Sequence, residues 1–588
     1  MVFIPQASAP QPNTAPTGMA NRAVIAGTRH AVAAGHYLAA EAGFRVLESG
    51  GNAVDAGVAA ALVLGVVCSD QVGVAGVAPM IIWLAEQETL LSIDGLGVWP
   101  AAASCDHFVR EHGGTIPLGI LRTVVPAAPD AYITALARYG TMGFGDVASF
   151  AIRFAREGFV MYPFLAQQLA MHEAGTRAVP SNAAIFMPNG RTPATGELFV
   201  QSDLARSLQY MVDQEAAAKR GGRQAGLQAA RDAFYRGDLM RTIVDYHAGN
   251  GGFLTEADMA LYRVRVEPTV STRFGALDVH SCGFWCQGPA LLQALNIVEG
   301  LDLVGMGHNS PAYVHHVAET LKLAFADREA FYGDPIHVTV PEATLLSASF
   351  AAERRAMIRA DRAWTGLPPA GAIPGHPAAA AGGEPSDGPL GVSRDTSYVC
   401  VVDVKGNAVS ITPSDPSTDT VIIPGTGFAP SSRGSQSRAD PSHPACVAPG
   451  KRPRLTPNPA MAFEPGRRVI PFGSPGGDSQ VQAMLQVLLN MTVFGMDPQN
   501  AIEAPRFISY SHPDSFAPNL SYPGRLCLEG RLPQDTGAAL AGLGHGVQWW
   551  PDYLWRAGGV CLIDRDTRTG QFAAGADPRR AAAYAVGW

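Results

Sequence analysis

The stretch 397–412, SYVCVVDVKGNAVSIT, constrains the fold more than any other part of this chain. Two β-rich runs flank Lys405-Gly406-Asn407, and a glycine-containing turn between such runs predicts an antiparallel hairpin. Just upstream, 366–390 (GLPPAGAIPGHPAAAAGGEPSDGPL) is rich in Pro, Gly and Ala and has no hydrophobic periodicity, which predicts an exposed, mobile segment. A second irregular run, 423–459, predicts long surface loops of a functional kind. Elsewhere apolar residues recur at helical spacing in 37–47, 53–67, 130–139, 310–332 and 481–493, and strand-like runs occupy 80–84, 90–93, 469–472 and 559–563. Helices and strands mixed without repeated βαβ units predict an α+β layered fold.

Composition bounds the function. The chain has 588 residues, 47% hydrophobic and 16% charged, so it can bury large cores and is neither disordered nor fibrous. Its 43 basic residues against 51 acidic ones give a net charge of −8 with no basic block, which excludes a nucleic-acid partner. The first 24 residues have no positively charged start and no apolar run of signal length. They are expected to form a loose leader on a cytoplasmic protein. The longest apolar run, 53–68, is too short for a membrane span and carries Asp55, so it reads as a buried helix and no membrane partner is expected. Eight cysteines without a CxxC or Cys/His cluster predict free thiols and no metal site.

Two local features bear on chemistry. Asp395-Thr396-Ser397-Tyr398 places a hydroxyl residue where the irregular segment meets the hairpin, which alone reads as an ordinary strand start. Phe472-Gly473-Ser474-Pro475-Gly476-Gly477 lies between a short strand and a helix, so its backbone N–H groups can converge in front of a helix N-terminus. No Lys-Ser/Thr follows, which argues against a nucleotide site.

These features join a wider set of motifs in order: Gly50-Gly51-Asn52-Ala53-Val54-Asp55-Ala56, Ala324-Phe325-Ala326-Asp327-Arg328 with Tyr332-Gly333-Asp334-Pro335, Asp395-Thr396 with Asp403 and Gly406-Asn407-Ala408-Val409, Gly450-Lys451-Arg452-Pro453, Gly473 to Gly477, and Ala504-Pro505-Arg506. Over roughly 27–587 the chain resembles the gamma-glutamyltranspeptidase family of N-terminal nucleophile hydrolases. The resemblance implies a four-layer αββα sandwich made as one precursor that cuts itself between Asp395 and Thr396. The products would be a large subunit, 25–395, and a small subunit, 396–588, with a further homo-oligomer of that heterodimer possible in this family. It also implies that Thr396 is the nucleophile, that Ser414 stands beside it, and that Gly476 and Gly477 supply the oxyanion hole. The new α-amine, with a pKa of about 7.7–8.0, serves as base, so neither cofactor nor metal is called for.

The chain departs from the family where a γ-glutamyl substrate is read. Leu96, in Leu96-Gly97-Val98-Trp99-Pro100, stands where the family has an arginine for the α-carboxylate. Ser435, in Ser431-Ser432-Arg433-Gly434-Ser435, stands where it has an aspartate for the α-ammonium, and Leu455 and Thr456 replace paired serines. The Gly-rich stretch becomes 73–79, GVAGVAP. Arg433 and Arg454 are additions suited to an anionic group, and Trp99 and Trp285 are either pocket walls or core. A self-processing amidohydrolase of a small, non-glutamyl amide follows, like the oxamate amidohydrolases and cephalosporin acylases of this family. The alternatives are a γ-glutamyl hydrolase or transpeptidase with a relocated carboxylate clamp, and an uncleaved scaffold.

Overall fold

The computed structural model describes residues 20–391, 396–418 and 420–588, so Asp395 and the first 19 residues of the leader lie outside the described residues. Two seven-stranded antiparallel sheets face each other. The first runs Ile25–Gly27, Phe572–Ala576, Cys561–Asp566, Arg468–Gly473, Ala460–Glu464, Leu277–Ser281, Val270–Phe274. The second runs Tyr584–Gly587, Ala31–Ala34, Val399–Val402, Ala408–Ile411, Met80–Leu84, Thr89–Ile93, Val266–Glu267.

The layers follow from alternation along each strand. Val32, Ala34, Val399, Val401, Val409 and Ile411 face one helical layer, which includes Tyr37–Glu48 and Ala53–Val67. Their neighbours Ala31, Ala33, Cys400, Val402 and Ala408 turn inward, against Met461, Val469, Cys561 and Ile563 of the other sheet. The outer face of that sheet packs on Gly288–Val298, Pro311–Phe331 and Ser479–Thr492. Strands buried on both faces therefore read as continuous apolar runs, and the product is the αββα sandwich.

The apolar run at 53–67 forms the fully buried helix Ala53–Val67. Asp55, its one charge, closes a capping box with Asn52 and accepts the N–H groups of Thr141 (3.0 Å) and Met142 (3.1 Å), so its carboxylate is fully employed. Among the described residues no helix is long and apolar enough to cross a membrane. All eight cysteines are unbridged.

The 366–390 stretch has no helix or named strand, and several hydrogen bonds join it to the rest of the fold. Gly371 donates to Asp327 Oδ1 (2.8 Å), Ser386 N pairs with Ser521 O (2.8 Å), Arg525 binds the carbonyls of Asp387 (3.2 Å) and Gly388 (2.9 Å), and Gly391 N donates to the Tyr522 hydroxyl (3.0 Å). The end of the leader is likewise tied, since Asn21 N and Arg22 N donate to Glu503 at 2.7 and 3.0 Å.

Candidate active site

The hairpin turn sets the site's geometry. Gly406 adopts φ 87°, a conformation open to glycine, and the Asp403 carboxylate accepts from Lys405 N (2.9 Å), Asn407 N (3.0 Å) and Asn407 Nδ2 (2.8 Å). The same carboxylate accepts Ala53 N at 3.0 Å, tying the turn to the buried helix. From this turn the register pairs Val402 with Ala408 and Val399 with Ile411. Continued to the open end, it pairs Thr396 with Ser414.

Both residues are buried, and Thr396 Oγ1 lies 2.8 Å from Ser414 Oγ. Arg433, from the short 3-10 turn Arg433–Gln436, donates through Nη2 to Ser414 Oγ. Its Nε is 3.8 Å from Asp415 Oδ1, and its guanidinium stacks 5.2 Å from the Phe516 ring centre. Asp415 holds a left-handed φ of 94° and accepts the Ser432 N–H (3.1 Å) and both the Ser431 and Ser432 hydroxyls, which fix the turn that carries Arg433. Ser414 Oγ accepts from Arg433, and either hydroxyl of the Thr396–Ser414 pair can donate to the other.

The Gly476-Gly477 loop approaches from the first sheet. It links the strand Arg468–Gly473 to the helix Ser479–Thr492, with Gly476 at φ 119° and Gly477 at φ 55°. Among the described residues no acceptor takes the N–H of either glycine. Gln480, in the first turn of that helix, donates from its side chain to Thr396 Oγ1 (3.4 Å) and from its backbone to Gly477 O (3.3 Å), so the loop and the threonine share a partner.

Behind the loop sits a buried ionic cluster. Arg328 pairs with Asp478 and with Glu329 (2.9 Å), Arg438 and Arg454 reach Glu329 at 2.8 and 2.7 Å, and Ser515 caps Asp478. Three guanidinium groups hold the Glu329 carboxyl well below the ordinary range despite its burial. Burial pushes Arg454 down to about 10 and His443, squeezed between Arg438 and Arg454, to about 3.

A cavity of about 310 Å³ opens beside the loop, lined by Gly476, Gly477, Tyr510, Phe516 and Tyr522, with Leu390 and Gly391 from the end of the irregular segment. A larger one, about 710 Å³, lies around Lys405, Gly406 and Arg565 at the turn end of the hairpin, remote from Thr396.

Of the residues that the sequence sets around the substrate, Arg433 reaches the hydroxyl pair, and Leu96, Ser435, Leu455 and Thr456 are buried. Leu96 and Leu455 pack in the core between the sheets with Tyr398 and Trp285. Thr456 Oγ1 accepts from Gln436 (2.7 Å), and Ser435 is buried with its carbonyl taking Ala517 N (2.8 Å). Arg454 is buried and pairs with Glu329 (2.7 Å). Trp99 and Trp285 are core residues whose indoles donate to Ser437 (2.9 Å) and Glu267 (2.8 Å). Sequence reasoning missed Asp415, Gln480 and Phe516, whose roles depend on partners far along the chain. It also missed a group of potential metal ligands, His315, Glu319 and His545. Lys322 pairs with Glu319 (2.7 Å), and the two histidines hydrogen-bond directly (2.9 Å).

The gamma-glutamyltranspeptidase family model matches residues 39–587. The chain is 32% identical to the Acylase ACY 1 proenzyme of Pseudomonas sp. (strain SE83) over 538 residues, 89% of this chain and 88% of that one. It is also 32% identical to the glutathione hydrolase-like YwrD proenzyme of Bacillus subtilis (strain 168), over 95% and 98% of the two chains. The crystal structure of cephalosporin acylase from Bacillus halodurans aligns at a TM-score of 0.83 and 28% identity, covering 100% of this chain and 99% of that one.

Proposed function

The chain belongs to the gamma-glutamyltranspeptidase family, and from that premise we propose that it is a self-processing amidohydrolase with Thr396 as nucleophile and a non-glutamyl amide as substrate. The observation that carries the reading is the contact of Thr396 Oγ1 with Ser414 Oγ at 2.8 Å, facing the Gly476-Gly477 loop through Gln480.

In the precursor, Thr396 Oγ1 attacks the Asp395 carbonyl carbon and the C–N bond breaks as the proton passes to nitrogen, leaving an ester. Water then hydrolyses the ester, giving the Asp395 carboxylate and a free α-amine on Thr396. In turnover that amine takes the Thr396 hydroxyl proton as Oγ1 attacks the substrate amide, and gives it to the departing amine. The backbone N–H groups of Gly476 and Gly477 stabilise the tetrahedral oxyanion. Water resolves the acyl-enzyme by the reverse proton path. Arg433, donating to Ser414 Oγ, places a fixed positive charge beside the hydroxyl pair, where it favours negative charge that develops in turnover.

The substrate assignment rests on what the site lacks. An arginine side chain does not stand at Leu96, and the core position of Leu96 leaves no room for one to bind a glutamyl carboxylate. Relatives named as acylases support an acyl group other than γ-glutamyl, and the relative named as glutathione hydrolase-like supports the alternative. Arg433 beside the hydroxyl pair supports a second reading, a γ-glutamyl hydrolase whose carboxylate clamp has moved there. The free state of all eight cysteines is compatible with a reducing, cytoplasmic setting.

Intact mass of the freshly purified protein beside Thr396→Ala tests the reading. Wild type is expected to split before Thr396 while the variant stays whole; a wild-type chain that stays whole on prolonged incubation overturns the proposal in favour of a scaffold. A panel of oxamate, an acylated β-lactam, glutathione and γ-glutamyl p-nitroanilide then assigns the acyl group.

A further inference from the structure

We propose that Gln287, in the segment read as the large subunit, is a positioning residue that holds the oxyanion loop of the small subunit in its working conformation. The inference rests on the reading of Gly476 and Gly477 as oxyanion donors.

Two consecutive glycines at positive φ are conformationally permissive, so the loop has little rigidity of its own, and pre-aligned N–H groups require a constraint from outside it. Gln287 supplies one. Its chain position is set by a parallel bridge between Cys286 and Leu455 and by the bond from Gln287 N to Leu455 O (2.9 Å). Its side chain is buried, and Nε2 donates to two small-subunit carbonyls, Thr456 O and Gly477 O, each at 2.9 Å. Oε1 accepts from Arg328 Nη1 at 2.9 Å. Both amide hydrogens and the oxygen are thus used, and the amide has one admissible orientation: a flip would set Oε1 against two carbonyls and the NH₂ against a guanidinium.

Arg328 completes the clamp. The guanidinium that orients Gln287 also pairs with Asp478, the residue after Gly477, and Asp478 in turn accepts Ser515 N at 2.8 Å. The loop is therefore gripped at the Gly477 carbonyl and at the Asp478 carboxylate by one network anchored on the helix Pro311–Phe331. Fixing the Gly477 carbonyl holds the peptide plane between Gly477 and Asp478, which narrows the φ,ψ combinations left to Gly477 and so the directions open to its own N–H. The catalytic geometry of the small subunit then depends on the large one across the cleavage boundary.

The test uses the full-length, processed protein and two variants, Gln287→Met, which removes all three hydrogen bonds, and Gln287→Glu, which removes only the donors. Hydrogen exchange of peptides covering 473–480 is expected to accelerate by about 10-fold or more in both, with the remainder of the chain within about twofold of wild type. With glutaryl p-nitroanilide as probe, kcat is expected to fall by about 10- to 100-fold at a KM within about threefold, since a displaced donor acts on the transition state. Unchanged exchange at 473–480 overturns the proposal whether or not the probe is turned over. So does acceleration spread over the whole chain or unfolding of both variants, because Gln287 would then serve the fold at large, and so does faster loop exchange with kcat unchanged. Failure of wild type to cleave before Thr396 strikes the functional reading instead, and the exchange arm is still read.

Discussion

Thr396 and Ser414 face each other in the same antiparallel register that pairs Val399 with Ile411 and Val402 with Ala408, so the hydroxyl contact of 2.8 Å is the open end of a hairpin whose closed end is the Gly406 turn. A slip of one residue would turn one of the two hydroxyls to the opposite face of the sheet.

Asp403 guards that register. Replacing it with alanine removes acceptors for Lys405 N, Asn407 N, Asn407 Nδ2 and Ala53 N, and a loss of about 2 to 4 kcal/mol in urea unfolding is expected, with slower self-cleavage by intact mass. Stability and cleavage both at wild-type levels would refute the link between turn and site.

The two loop glycines should differ. Gly476→Ala meets only ordinary contacts at Ser479 Cβ (3.4 Å) and Gly558 Cα (3.5 Å), so its penalty comes from φ 119°, which side-chain-bearing residues avoid. Gly477, at φ 55°, lies in the left-handed region, where alanine is strained by about 1 to 2 kcal/mol. Gly476→Ala is therefore expected to lose more kcat than Gly477→Ala; the reverse order would argue against this loop geometry.

Glutathione should be a poor substrate, because a zwitterion left unpaired in a buried site forfeits several kcal/mol. Restoring the family's arginine with Leu96→Arg is expected to give misfolded protein instead of glutathione hydrolysis. The side chain would enter the core between the sheets, where an unpaired charge is strongly destabilising. Soluble Leu96→Arg protein that hydrolyses glutathione would show that position 96 faces the substrate after all.

Acid should weaken the fold through buried histidines. Burial pushes His36, His443 and His545 down to about 3 and His247 to about 4. In the unfolded chain they titrate near 6.5, so between those values the unfolded state binds more protons and stability rises with pH. The contribution is fully present above 6.5 and is lost as pH falls from there to about 3, or to about 4 for His247, by at most about 1.4 kcal/mol per histidine per unit. The urea midpoint is expected to drop between pH 7 and 5 and to drop less in His443→Asn; a flat profile would contradict the burial of these imidazoles.

The elements were legible where the signal is local. The apolar run at 53–67, the hairpin at 397–412 and the helix after Gly477 appear where periodicity and turn residues put them. Much of the helical region between Phe144–Glu157 and Asp238–Gly249 was not singled out, although Arg223–Tyr235 and Ser202–Ala217 form there, because helices packed on helices mix polar and apolar residues with less contrast. Thr396 by itself is one hydroxyl at the start of a strand. Arg433 and Arg454 both read as available cations, yet one touches the Thr396–Ser414 hydroxyl pair and the other pairs with Glu329.

The order of motifs, the hairpin and its turn, and the departures at Leu96, Ser435, Leu455 and Thr456 were determined by the sequence alone, since each depends on neighbours within a few residues or on a pattern read along the chain. Only the tertiary structure decided that Leu96 and Leu455 are core, that Asp415 and Arg433 close on Ser414, and that Gln287 and Arg328 grip the Gly477 loop. Those roles turn on which buried polar group meets which partner. A buried charge or amide is stable only when paired, and its partner here comes from a segment that folding, not sequence proximity, brings alongside.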